Sequence, residues 1–116
     1  MAEKRLVERR KHFRYLTRMD IKIEVHANAS RVSSTLVPIS DISLGGLFVI
    51  TPNPIPIGAE LNVLLPLEPN LRLRCAVRQV VPGRGMGVEF LEMAPSCRSR
   101  LQAFLESLAE PSLISR

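Results

Sequence analysis

The sequence predicts a mainly all-β domain, a six-stranded antiparallel β-barrel with one C-terminal α-helix. Three observations predict it. Apolar and polar residues alternate over short stretches, Gly- and Pro-rich turns separate those stretches, and after Pro95 the apolar period becomes helical. The chain has 116 residues, 46% of them hydrophobic, which is enough for one core and one domain.

The elements follow in order. Residues 21–27, Ile-Lys-Ile-Glu-Val-His-Ala, alternate strictly and read as a half-buried strand. Residues 31–40 alternate less cleanly around Val32, Thr35, Val37 and Ile39 and end at the polar Ser40–Asp41. Asp41-Ile-Ser-Leu-Gly-Gly46 is a turn by composition, and Leu47–Ile50 is the next apolar run. Thr51–Gly58 holds Pro52, Pro54 and Pro56 and is a loop. Glu60–Leu65 is a short strand. Residues 71–81 are the most regular: Leu71, Leu73, Cys75 and Val77 alternate with Arg72, Arg74, Ala76 and Arg78, so one face is core and the other wet. Pro82–Gly85 turns the chain into a last strand at Met86–Leu91. Closure into a barrel removes exposed edges.

After Pro95, the residues Leu101, Phe104, Leu105 and Leu108 form one helical stripe, with Ser96 as the expected N-cap and Pro111 as the stop. The expected layout is a basic arm over 1–19, the barrel over 20–92 and a covering helix over 95–110.

The net charge of +5 is unevenly spread. Lys4, Arg5, Arg9, Arg10, Lys11, Arg14 and Arg18 face only Glu3, Glu8 and Asp20 within the first twenty residues, so nearly all the excess lies there. The body is almost neutral. Such localisation points to a local anionic partner more than to a broad cationic surface. No apolar run is long enough to span a membrane and the N-terminus lacks a signal-peptide core, so a cytoplasmic protein is expected.

Metal and catalytic chemistry find little support. Cys75 and Cys97 lack His or Cys neighbours at ligand spacing, so no zinc site and no other metal site is expected. Both read as reduced thiols, with Cys75 as a core residue. Paired carboxylates, a Ser/His/Asp set and a phosphate loop before a helix are all missing. No catalytic residue is assigned, no cofactor is expected, and the chain is read as a non-enzyme.

Two segments carry the chemistry that remains. Arg9-Arg10-Lys11-His12-Phe13-Arg14 precedes the first strand, and Asp41-x-Ser43-x-x-Gly46 joins two strands. A guanidinium grips phosphate through two donors at once and stacks on flat rings. Consecutive glycines, Gly45 and Gly46, permit positive φ and a close backbone approach to a ligand. Asp41 accepts from ring or amino N–H groups, and the Ser43 hydroxyl donates to phosphate or base. Taken alone, a basic leader is a solvated tail and Asp-Ser-Gly is an ordinary turn. Their coincidence in a small strand-rich chain is what matters.

The pair Arg10-x-x-x-Arg14 and Asp41-x-Ser43-x-x-Gly46 resembles the two-part signature of PilZ domains, bacterial receptors for the second messenger cyclic di-GMP. The likeness spans nearly the whole chain. Asp41–Phe48 is similar to the family turn and following strand, Gly85–Phe90 to its final barrel strand, and Pro95–Leu108 to its C-terminal helix. Lys11, His12 and Phe13 fill the variable interior of the arginine motif. The resemblance implies that Arg10 and Arg14 hold ligand phosphates and stack on guanine. It further implies that Asp41 bonds a guanine edge with Ser43 beside it, and that Gly45 and Gly46 line the approach. Arg9 in this family accompanies an intercalated ligand dimer, so two ligand molecules are expected. A stand-alone member is expected, with the arm closing over the ligand and altering contact with an unidentified downstream protein.

Two other functions compete. A small barrel with a basic arm suits nucleic acid, but the body is neutral and exposed aromatics are few, only Tyr15 and four Phe. A ligand-independent interaction module of the same fold would usually lack the motifs present here. Arg72, Arg74 and Arg78 form a stripe on a wet face, read as a solubility device or as a docking surface for a partner.

Overall fold

The computed structural model describes residues 13–28 and 31–114, with side chains over 13–26 and 32–108. Its elements are β1 (Tyr15–Asn28), β2 (Arg31–Ile42), β3 (Gly46–Ile50), β4 (Glu60–Leu65), β5 (Leu71–Val81), β6 (Gly85–Phe90) and α1 (Pro95–Ile114). All strand pairs are antiparallel, and the strands close into a barrel in the order β1-β2-β3-β6-β5-β4. The expected all-β barrel with a C-terminal helix is what the chain forms.

The alternation on β5 does what its pattern dictates. Leu71, Leu73, Cys75 and Val77 are buried, while Arg72, Arg74 and Arg78 stay exposed. With Ile21, Ile39, Val49, Leu61, Val63 and Leu65 they fill the interior, where no polar or charged side chain is buried among the described residues. Burying each large aliphatic side chain contributes about 1.5–3 kcal/mol, so the core rests on aliphatic packing with few aromatics.

Several boundaries differ from expectation: β2 runs on through Asp41 to Ile42 and β3 begins at Gly46, so the expected Asp41–Gly46 turn shrinks to residues 43–45. β1 starts at Tyr15, six positions ahead of the alternating stretch. Tyr15 pairs with Ile42 and Leu16 with Asp41, but a register shift between Leu16 and Met19 breaks the alternation that would have announced it. The helix is capped two residues ahead of the expected Ser96. The Arg98 N–H donates to the Ala94 carbonyl at 3.0 Å, making Ala94 the cap and Pro95 the first helical residue. Proline suits that position because its missing donor would have had no partner, and Ser96 lies inside the helix. Finally, α1 runs on through Pro111 to Ile114. The proline ring fixes a helical φ, and near a helix end the lost donor costs a single bond, to Ser107.

The helix covers the barrel at β1 and β5. Leu101 and Leu105 are buried, Phe104 and Leu108 pack beside them, and Arg100 donates to the Pro69 carbonyl in the β4–β5 connection. The β5–β6 turn has proline at its second position, Gly83 at φ 74° in the third, and a bond from the Arg84 N–H to the Val81 carbonyl at 2.9 Å.

Candidate ligand-binding site

The site begins with strand register. Because Leu16 opposes Asp41 and Tyr15 opposes Ile42, the residue just before β1 is delivered to the end of β2. Arg14 thereby reaches Asp41: its Nη1 donates to Oδ1 at 3.1 Å. The second carboxylate oxygen, Oδ2, accepts from the Ser40 hydroxyl at 2.8 Å. The Asp41 side chain keeps only 15% of its surface exposed, against 49% for Arg14, so the carboxylate is the more enclosed partner and the guanidinium the more solvated one. Nothing in the sequence marks Ser40 for this role, since no local pattern says that a strand-end serine will turn toward its neighbour.

The turn after β2 is built by Ser43. Its N–H donates to the Gly46 carbonyl at 2.8 Å, and its Oγ accepts from the N–H groups of Gly45 at 3.0 Å and Gly46 at 3.3 Å. The hydroxyl in turn points to the Gly46 carbonyl at 3.4 Å. Ser43 is thus engaged in holding the turn, a use the motif alone did not reveal. The Phe90 N–H donates to the Gly45 carbonyl at 2.8 Å and ties the turn to β6.

The glycines serve differently from the expected positive φ. Neither Gly45 nor Gly46 has one; among the described glycines only Gly58 and Gly83 do. Gly46 is required for space instead. A Cβ there would stand 2.1 Å from the Val88 carbonyl oxygen on β6, so the small residue permits the strands to close. Beside the site, Phe13 and Leu16 project into solvent at 82% and 86% exposure.

Arg9 and Arg10 lie outside the described residues. His26 is exposed on β1, on the wet face expected for it. Each guanidinium of the β5 stripe meets a carboxylate: Arg72 pairs with Glu24, Arg74 with Glu60 at 3.2 Å and Arg78 with Glu89 at 2.7 Å. The stripe is charge-balanced by neighbouring strands. Cys75 is fully buried, and burial pushes its thiol up to about 12, slightly offset by a backbone hydrogen bond from Val63. A thiol held that firmly protonated is a poor nucleophile. Among the described residues no group of three or more His, Cys, Asp or Glu could hold a metal ion, and no helix is long and apolar enough to cross a membrane.

Residues 8–107 match the family model of the PilZ domain. The chain belongs to the PilZ domain family. Solved structures are similar to it in fold at low identity. The PilZ domain of YcgR from Escherichia coli, solved with c-di-GMP, is 19% identical, with 90% of this chain and 94% of that one covered and a TM-score of 0.65. The Klebsiella (K. pneumonia) MrkH–c-di-GMP complex is 17% identical, with coverages of 92% and 55% and a TM-score of 0.72. The Bacillus subtilis inhibitor of motility, MotI/DgrA, is 22% identical, with coverages of 92% and 53% and a TM-score of 0.65. This PilZ chain spans about half the length of the last two. No curated protein matches it.

Proposed function

We propose that this PilZ domain is a non-catalytic receptor for c-di-GMP, gripped between the arginine arm and the Asp41–Gly46 turn. One observation carries the reading. The 3.1 Å contact between Arg14 and Asp41 joins the last residue of the arginine motif to the first residue of the turn motif. Two motifs separated in sequence form one locus. Family membership and the c-di-GMP complexes of YcgR and MrkH support the ligand's identity.

The chemistry suits a cyclic dinucleotide. Arg10 and Arg14 offer forked donors to its phosphates and flat faces to its guanines. Asp41, held in place by Ser40, accepts from the guanine N–H edge, with Ser43, Gly45 and Gly46 shaping the turn beside it. The exposed Leu16 opposite Asp41 supplies apolar surface for a purine ring. Arg9 supports an intercalated ligand dimer. The arm, residues 1–14, closes over the ligand and thereby alters contact with a downstream protein. Its site of action is the bacterial cytoplasm, a reading that two free thiols support.

Titration calorimetry with c-di-GMP, using GTP and cyclic AMP as controls, tests this directly. Heat with c-di-GMP alone, at two ligands per domain, is expected. Absence of heat at high micromolar protein overturns the receptor reading, and a ratio of one overturns only the dimer.

A further inference from the structure

β2 is paired unequally on its two sides. Toward β1 it is paired from Arg31 to Ile42, with register shifts only between Leu16 and Met19 and between His26 and Asn28. Toward β3 it is engaged only at Ile39, Asp41 and Ile42. Among the described residues, 32–37 have no strand partner on that side, and no turn or loop bonds to their backbone there. The first half of β2, with the end of β1, forms a two-stranded ribbon reaching past the barrel wall. Val32, Ser33, Ser34, Thr35 and Leu36 are all exposed, the two large aliphatics at 52% and 64%.

A free sheet edge is normally blunted by lysine, proline, a bulge or an inward charge. Here Val-Ser-Ser-Thr-Leu-Val carries none of these, and the first such feature is Pro38. The register against β1 is also unbroken from His26–Val32 to Asp20–Pro38. Six extended residues present about 20 Å of flat, uncharged edge.

We propose that this edge pairs antiparallel with the same edge of a second copy, about a two-fold axis at Ser34. The spacing is self-complementary. Residues 32, 34 and 36 share one face, so with Ser34 opposite its own copy each Val32 meets a Leu36 and each Leu36 a Val32. Both exposed aliphatics of the ribbon are then covered reciprocally, and Ser33 meets Thr35 on the other face. No charge meets its own copy. The nearest like pair is Glu24, one strand behind Ser34, and the two copies stand three strand spacings or about 14 Å apart, beyond the screening length of about 8 Å. The product is a continuous four-stranded sheet, β1–β2–β2–β1. Ser34 lies roughly 23 Å along the strand from Asp41, so this association leaves the ligand site open and does not depend on any ligand.

Sedimentation of the full chain over a concentration series is the primary test, with a monomer–dimer equilibrium expected. Ser34→Lys puts two ammonium groups face to face and raises the dimer dissociation constant by about 10-fold or more. Its circular dichroism stays that of wild type, since Ser34 is exposed. Register is read by crosslinking in a Cys97→Ser background. Ser34→Cys self-crosslinks on mild oxidation. Val32→Cys and Leu36→Cys do so only when the two proteins are mixed. A wild-type monomer at high micromolar concentration overturns the proposal, as does a dimer that Ser34→Lys leaves intact or that Ser34→Cys fails to trap.

Discussion

Arg14 and Asp41 are 27 positions apart in the chain, yet a guanidinium N–H of the first donates to a carboxylate oxygen of the second at 3.1 Å. Without ligand the two motif residues neutralise each other. On the proposed reading, an incoming phosphate would compete with a carboxylate for Arg14, and the carboxylate so released would be free to accept from the ligand's base.

That competition separates binding from stability. Arg14→Ala is expected to weaken c-di-GMP binding by about 2–4 kcal/mol, the scale for leaving a charged partner unpaired. Folding stability should fall by only about 0–1 kcal/mol, because Arg14 is half in water and Ser40 still bonds the carboxylate. Arg14→Lys should also bind weakly, since an ammonium neither forks nor stacks. Calorimetry and urea melts on the same proteins decide it; wild-type affinity in the lysine variant defeats the bidentate argument.

Gly46→Ala reverses the balance. Its Cβ would press on the Val88 carbonyl oxygen at 2.1 Å, which is backbone and cannot swing aside. Overpacking of this kind costs about 1–3 kcal/mol, so the urea midpoint should drop well before any ligand is added. An unchanged midpoint would return Gly46 to a role at the ligand alone.

Cys75 makes the barrel sensitive to alkali. Its folded thiol titrates near 12 against 9.0 unperturbed, so between those values the folded chain holds a proton that the unfolded chain has released. Stability is complete below pH 9.0 and falls by up to about 1.4 kcal/mol per unit as pH rises toward 12. Cys75→Val keeps the bulk and removes the proton. The wild-type stability curve should therefore fall more steeply than the variant's above pH 9.0, and parallel curves would show that the thiol ionises freely.

Arm closure has its own readout. Amide exchange over residues 4–16 should slow on addition of c-di-GMP, while exchange in the β5 interior stays as it was. Equal protection with and without ligand removes the switch and leaves a preformed site.

Most of the barrel was legible because alternation reports one buried face. β4 and β5 occupy the spans their patterns predict, Glu60–Leu65 and Leu71–Val81. The start of β1 was hidden because the irregularity after Leu16 scrambles the period, and the helix end because proline excludes a donor, not a helical φ. The site residues are visible as types, but their uses depend on partners far along the chain. Arg72 finds Glu24 at a separation of 48, and the Gly46 constraint comes from Val88; no local pattern encodes either.

The Gly45–Phe90 bond and the Ser43 network have a consequence for how such a receptor diversifies. Folding alone fixes the turn, while the Arg14 side chain beside it keeps half of its surface exposed. On the proposed reading, substitutions at Arg14 therefore retune sensitivity to c-di-GMP with the scaffold intact, whereas substitutions at Ser43 or Gly46 disturb ligand and fold together.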